Sequence, residues 1–245
     1  MSEPVRLARR LADMLGCSRR HAELYVEGGW VRVDGVVVEA PQFKVHDQAI
    51  TLDAQARAEP VLPATLLLHK PAGFDWDDGP RPASGLLLPG KRWDQERRPM
   101  QRPLQRHLQG QTSVSPLESG ASGLLIFTQD GRVRRKLTDD AARVEHEVIV
   151  DVTGDVTDAA LRQLNRAPII DGRAMLPAKV SISRQVDGLT GLRFAVKGSL
   201  PGQIAQMCGK VQLTVVGMRR IRIGRLALAS LPVGQWRYLR PHERV

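Results

Sequence analysis

Between residues 5 and 15, apolar Leu7, Leu11, Met14 and Leu15 recur at helical spacing while Arg6, Arg9 and Arg10 fall between them. That spacing predicts an amphipathic helix, which Gly16 ends. Ser18 is placed to cap a second helix, Arg19–Glu27, whose Ala22, Leu24, Tyr25 and Val26 supply apolar contacts before Gly28-Gly29 stops it. The period then changes to two. Short runs at 30–33 and 36–38 flank Asp34-Gly35, a hairpin signature, and residues 43–45 and 50–52 add two further strands. The unit predicted for residues 1–56 is therefore two helices followed by a small hairpin-based sheet.

Residues 57–64, within a stretch of Ala, Glu and two prolines, read as a linker. A second domain, 65–245, opens with Leu66-Leu67-Leu68, a buried strand that ends at the turn Lys70-Pro71-Ala72-Gly73. Residues 74–112 read as a long basic loop. Its Lys91-Arg92-Trp93 and later arginines offer planes and an indole that can stack on bases. Its Asp75, Asp77 and Asp78 are read as solvated carboxylates rather than a magnesium site. Beyond it the pattern alternates: strands at 123–128, 147–152, 179–183, 192–197 and 213–216, and helices at 131–138, 158–164 and 203–208. A strand pair formed from 219–228 and 231–239 closes the chain. The class predicted is α+β, a small helix-helix-hairpin domain followed by a larger mixed domain on a largely antiparallel sheet.

Charge narrows the partner. Thirty-six basic against 26 acidic side chains give a net +10 and a pI near 10.4, with most of the excess after residue 60, which points to a polyanion. Aromatic residues are only 4% of the chain, so few rings are on hand for stacking. Cys17 and Cys208 are too few for a disulfide framework or a zinc site, and no metal is expected. No apolar run approaches the roughly 18–20 residues of a membrane span, and the start of the chain lacks a signal-peptide core. No GxGxxG or P-loop is present, so no nucleotide cofactor is implied. The expectation is a cytoplasmic monomer without cofactors, bound to a polyanion and to no membrane. His146, alone in a polar strand, is read as solvated.

The run from Ser115 to Gly131, Ser-Pro-Leu-Glu-Ser-Gly-Ala-Ser-Gly-Leu-Leu-Ile-Phe-Thr-Gln-Asp-Gly, closely resembles the signature of the ribosomal RNA pseudouridine synthases of the small-subunit-enzyme type. Arg6-Leu7, Cys17-Ser18-Arg19-Arg20, Val33-Asp34-Gly35 and Ile50-Thr51-Leu52 resemble, in order, the small RNA-binding domain named after ribosomal small-subunit protein four. The resemblance implies RNA contacts at Arg6, Arg9, Arg10, Ser18, Arg19 and Arg20, and at Arg220 and Arg222 in the tail. It implies isomerisation of uridine in structured ribosomal RNA, with the base flipped into a pocket beside one carboxylate. Position by position, Glu118 stands where that family has its catalytic Asp, and Pro116 where it has a guiding Arg. Val148 stands where it has a base-packing Tyr. Gln203 and Ile204 fall on its late cleft helix, and Lys70 on a pocket rim within reach of phosphate. The longer side chain moves the carboxylate by more than about 1 Å, a shift able to cost about 100-fold in rate. Activity is therefore expected to be reduced or absent, the alternatives being a non-catalytic ribosomal RNA assembly module or a transfer RNA target.

Overall fold

The computed structural model describes residues 3–93, 102–170, 172–186, 188–198 and 200–245. These fall into two compact units: residues up to 63 together with 102–109, and residues 64–93 together with 110–245.

In the small unit, β1 (Val5–Arg6) leads into α1 (Leu7–Leu15) and α2 (Arg19–Glu27). The expected helix thus begins two residues late, because Val5 and Arg6 pair with Val45 and Lys44 of β4 (Lys44–Val45). Ser18 caps α2 by accepting the His21 N–H at 3.2 Å. Strands β2 (Val31–Val33), β3 (Val36–Val37) and β5 (Ile50–Leu52) form an antiparallel sheet in the order β3-β2-β5. Leu7, Leu11, Ala22, Val26, Val31 and Val45 make the core. Met14 and Leu15, expected on the buried stripe, are exposed, because the last turn of α1 runs past that core.

The large unit is mixed α+β on a nine-stranded sheet. Its elements are β6 (Thr65–Lys70), β7 (Thr112–Ser113), β8 (Ser122–Thr128), α3 (Gly131–Thr138), β9 (Glu145–Thr153), α4 (Asp158–Leu164), β10 (Ile169–Ile170), β11 (Arg173–Ala174), β12 (Lys179–Val186), β13 (Leu189–Lys197), α5 (Gln203–Gly209), β14 (Thr214–Ile223), β15 (Leu226–Ala227) and β16 (Trp236–Tyr238). The main path runs β12-β13-β9-β14-β8-β6-β16. Its pairings are antiparallel except for β14 with β8, which meet in parallel over two residue couples, Arg219 with Ser122 and Arg220 with Gly123. One core joins β9 and β13 to α4 and α5 through Val150, Leu192, Phe194, Leu164, Ile204 and Met207. A second joins Leu67, Leu124 and Ile126 to Leu137 of α3 and to Ile223 and Leu226.

Two expectations for the tail change. The strand expected at 213–216 and the start of the next one are a single ten-residue β14, whose register shifts around Gly217 where a bulge absorbs the extra residue. The expected closing strand pair does not form. β14 turns back onto β15, while β16 crosses to β6 and itself forms the edge of the sheet, where Trp236 is buried and donates its indole N–H to the Leu88 carbonyl at 2.8 Å. The hairpin of β10 and β11 lay below the resolution of sequence reading, being two residues per strand.

Candidate active site

The register lines up one residue from each of six strands. Lys70 of β6 lies opposite Gly123 of β8, Gly123 opposite Arg220 of β14, and Arg220 opposite Val148 of β9. Phe194 and Val180 continue the row on β13 and β12. Residues directly opposed on neighbouring strands share a face, so Lys70, Arg220 and Val148 project to one side. Gly123 is obligatory in this row. Its φ is +118°, and a Cβ there would lie 2.3 Å from the Arg220 carbonyl oxygen.

Arg220 is 1% exposed and spends its guanidinium on three backbone carbonyls: Nε on Leu124 at 2.8 Å, and the terminal nitrogens on Pro116 and Ser115 at 2.7 Å each. Burial lowers it to about 9, against the pull of the Glu118 carboxylate, so it stays charged at neutral pH. Lys70 is fully buried, and its ammonium donates to the carbonyls of Phe74 at 2.6 Å, Pro71 at 3.1 Å and Ser119 at 3.3 Å. Burial brings it to about 8, opposed by the charge of Asp75. The loop that carries Glu118 is therefore held from both sides, by Arg220 at residues 115–116 and by Lys70 at residue 119. Ser119 adds a hydroxyl bond to Asp75, whose carboxylate also accepts the Arg81 N–H at 3.0 Å. Asp75 was read as a solvated loop residue; it is a strut of this turn. Among the described residues no group of acidic, His or Cys side chains is arranged to hold a metal.

Glu118 is half-buried, and its Oε1 accepts the Gly202 N–H at 2.7 Å, at the start of α5. Two cations flank it and one helix end caps it. Pro116 contributes its carbonyl to Arg220, not a charge. Val148, Gln203 and Ile204 are buried in the adjoining core, and the Gln203 side chain accepts the Leu200 N–H at 3.2 Å.

Several expected polyanion contacts move. Arg220 is enclosed and Arg222 is shared between Glu145 at 2.6 Å and Glu147 at 2.7 Å, so neither guanidinium is offered outward. Lys70 has its three donors directed at carbonyls and cannot sit at a phosphate rim. In the small unit, Arg6, Arg9, Arg10, Ser18, Arg19 and Arg20 are all exposed, with Arg19 and Arg20 both reaching Glu23, at 3.7 and 3.5 Å.

Residues 5–50 match the S4 domain family. Over 98% of its length the chain is 25% identical to an RNA pseudouridine synthase of Aquifex aeolicus, covering 94% of that protein. It is also 25% identical to ribosomal small subunit pseudouridine synthase A of Vibrio cholerae, over 98% and 97% of the two chains. A crystal structure of a pseudouridylate synthase superposes with a TM-score of 0.58 at 20% identity, covering 96% of each chain. Over nearly its whole length the chain is thus similar to RNA pseudouridine synthases, with an S4 domain match at its start. In Pseudomonas aeruginosa, ribosomal large subunit pseudouridine synthase B is 28% identical to it over 97% of this chain and 60% of that one.

Within this synthase fold, His146 corrects the reading as solvated. It is 8% exposed, and its Nδ1 has no hydrogen-bond partner among the described residues. Burial, with Arg220 and Arg222 nearby, pushes it from 6.5 down to about 3. As pH falls below 6.5 the unfolded chain takes up this proton, while the folded chain resists until about 3. Stability is lost across that window. His69 and His107, also lowered by burial, act in the same direction. Replacing His146 by leucine is expected to flatten the decline between about pH 6.5 and pH 5, where carboxylates contribute little. Urea unfolding midpoints across that range check this, and an unaltered slope refutes the assignment.

Proposed function

We propose that this chain grips structured ribosomal RNA and holds a uridine pocket in which isomerisation is strongly slowed or absent. It would work in the cytoplasm as a monomer without cofactor, as an assembly module inherited from a modifying enzyme. The observation that carries this reading is the engagement of Glu118, whose carboxylate caps α5 at Gly202. By the sequence resemblance Val148, buried in the core, stands in place of a stacking ring, and Pro116 in place of an orienting guanidinium. A lost stacking surface is worth about 1–3 kcal/mol for a flipped base, and a carboxylate displaced by about 1 Å costs about 100-fold. A second reading, a working synthase, draws on Lys70 and Arg220, whose hydrogen bonds to the carbonyls of residues 115, 116 and 119 hold the loop that carries Glu118.

The test is incubation with ribosomal RNA followed by mapping of pseudouridines. A yield far below stoichiometric is expected, and one uridine converted in full overturns the proposal. Glu118→Gln and Glu118→Ala separate the two duties of this residue. Glutamine keeps an acceptor for the Gly202 N–H but no charge, so it should hold stability within about 0.5 kcal/mol, whereas alanine should lose about 1 kcal/mol of cap. If wild type shows turnover and glutamine abolishes it, the synthase reading stands. Affinity for RNA should fall steeply with salt in all three.

A further inference from the structure

Residues 102–109, near the end of the long basic stretch whose arginines could stack on bases, pack into the small unit. Arg102 lies with its guanidinium 3.9 Å above the Trp30 ring centroid. It donates to the Gly29 carbonyl at 2.6 Å and to Asp53 at 2.7 Å. The Gln105 N–H is shared by the two Glu39 carboxylate oxygens at 2.9 and 3.1 Å, and Arg106 reaches Glu27 at 3.4 Å. Leu104 is buried, and a Cβ on Gly29, at φ +67°, would come within 2.7 Å of it. The segment is thus a strap laid across three carboxylates and the one tryptophan of this unit.

Its charge matters because the unit without it is not basic. Residues 3–63 hold eight Lys and Arg against nine Asp and Glu. A module of that balance gives a polyanion little net attraction, whatever its local arginine cluster. The strap brings two arginines, and its contacts fall on Glu27, Glu39 and Asp53, the acidic groups it covers. We propose that residues 102–109 are a built-in counter-charge that turns an acidic module into an RNA-binding one, with Arg102 as the positioning residue. This rests on RNA being the partner, and it assigns Arg102 an indirect role: neutralising Asp53 rather than touching phosphate.

The experiment uses the full chain and a fluorescently labelled ribosomal RNA hairpin, titrated at about 0.1 M and about 0.3 M salt. Arg102→Gln is expected to weaken binding about threefold or more at the lower salt, with a smaller loss at the higher, because the repulsion is screened. Arg102→Lys, which keeps the charge, should stay near wild type. The double variant Arg102→Gln/Asp53→Asn should recover to within about twofold of wild type at both salt concentrations. An arginine bound directly to phosphate would instead leave the double variant as weak as Arg102→Gln, because removing Asp53 cannot replace a lost phosphate contact. Either that result, or Arg102→Gln binding like wild type, overturns the strap. So does Arg102→Lys binding as weakly as Arg102→Gln, since the loss would then come from packing. Wild type that binds no RNA refutes the RNA reading itself and the strap with it.

Discussion

Replacing Arg220 by methionine is expected to cost about 3–5 kcal/mol of folding stability, the range for deleting one partner of a buried charged network. The volume is nearly conserved, so the loss comes from polarity rather than from a cavity. Three carbonyls, those of Ser115, Pro116 and Leu124, would be left facing an apolar side chain. Each stranded acceptor carries a penalty of about 1–3 kcal/mol when water cannot replace the donor. Lysine at 220 should recover only part of this, because a single ammonium cannot span three acceptors as a planar fork does. Urea unfolding of wild type, Arg220→Met and Arg220→Lys reads the order directly. The RNA-binding role suggested by sequence predicts the contrary pattern, unchanged stability with weakened binding.

Alanine at position 123 is expected to be nearly as damaging, costing about 3 kcal/mol or more through overpacking and a strained positive φ together. The Cβ would meet the nitrogen of Arg220 at 2.5 Å as well as its carbonyl oxygen, and neither is a flexible side-chain end that can swing away. The strands would have to part at the one place where β8 and β14 are paired. Because Arg220 then loses its aim at the 115–116 carbonyls, Gly123→Ala and Arg220→Met should not add. Their double variant should fall short of the sum by about 1 kcal/mol or more, as contacting residues do. Additive losses would show that the seam and the loop are held independently.

The small unit was legible because its signals are local. A capping serine, helical spacing and an Asp-Gly turn are each written within a few residues, and α2 begins and ends where those signals place it. The core strands of the large unit were legible for the same reason. What the chain did not disclose is long-range pairing. Nothing in the spacing of Trp236 tells that β16 will leave its neighbour and pair with β6. The site was half legible. The motif pointed to Glu118, but the direction of a guanidinium depends on which face a strand turns inward. Arg220 and Arg222 looked like equals in sequence, and the shift of register between them sends one to carbonyls and the other to glutamates. Arg102 carried no readable signal, since its partners lie 49 and 73 residues away.

That return of residues 102–109 to the first unit bears on how such a protein can be cut and recombined. A truncation after residue 63 would yield a stump with Trp30 and Leu104's seat laid bare to solvent, and the complementary fragment would carry a sticky orphan segment. The first unit is therefore not a bead that can be unthreaded and grafted elsewhere. A faithful excision has to bring the distant octapeptide along, spliced or added in trans.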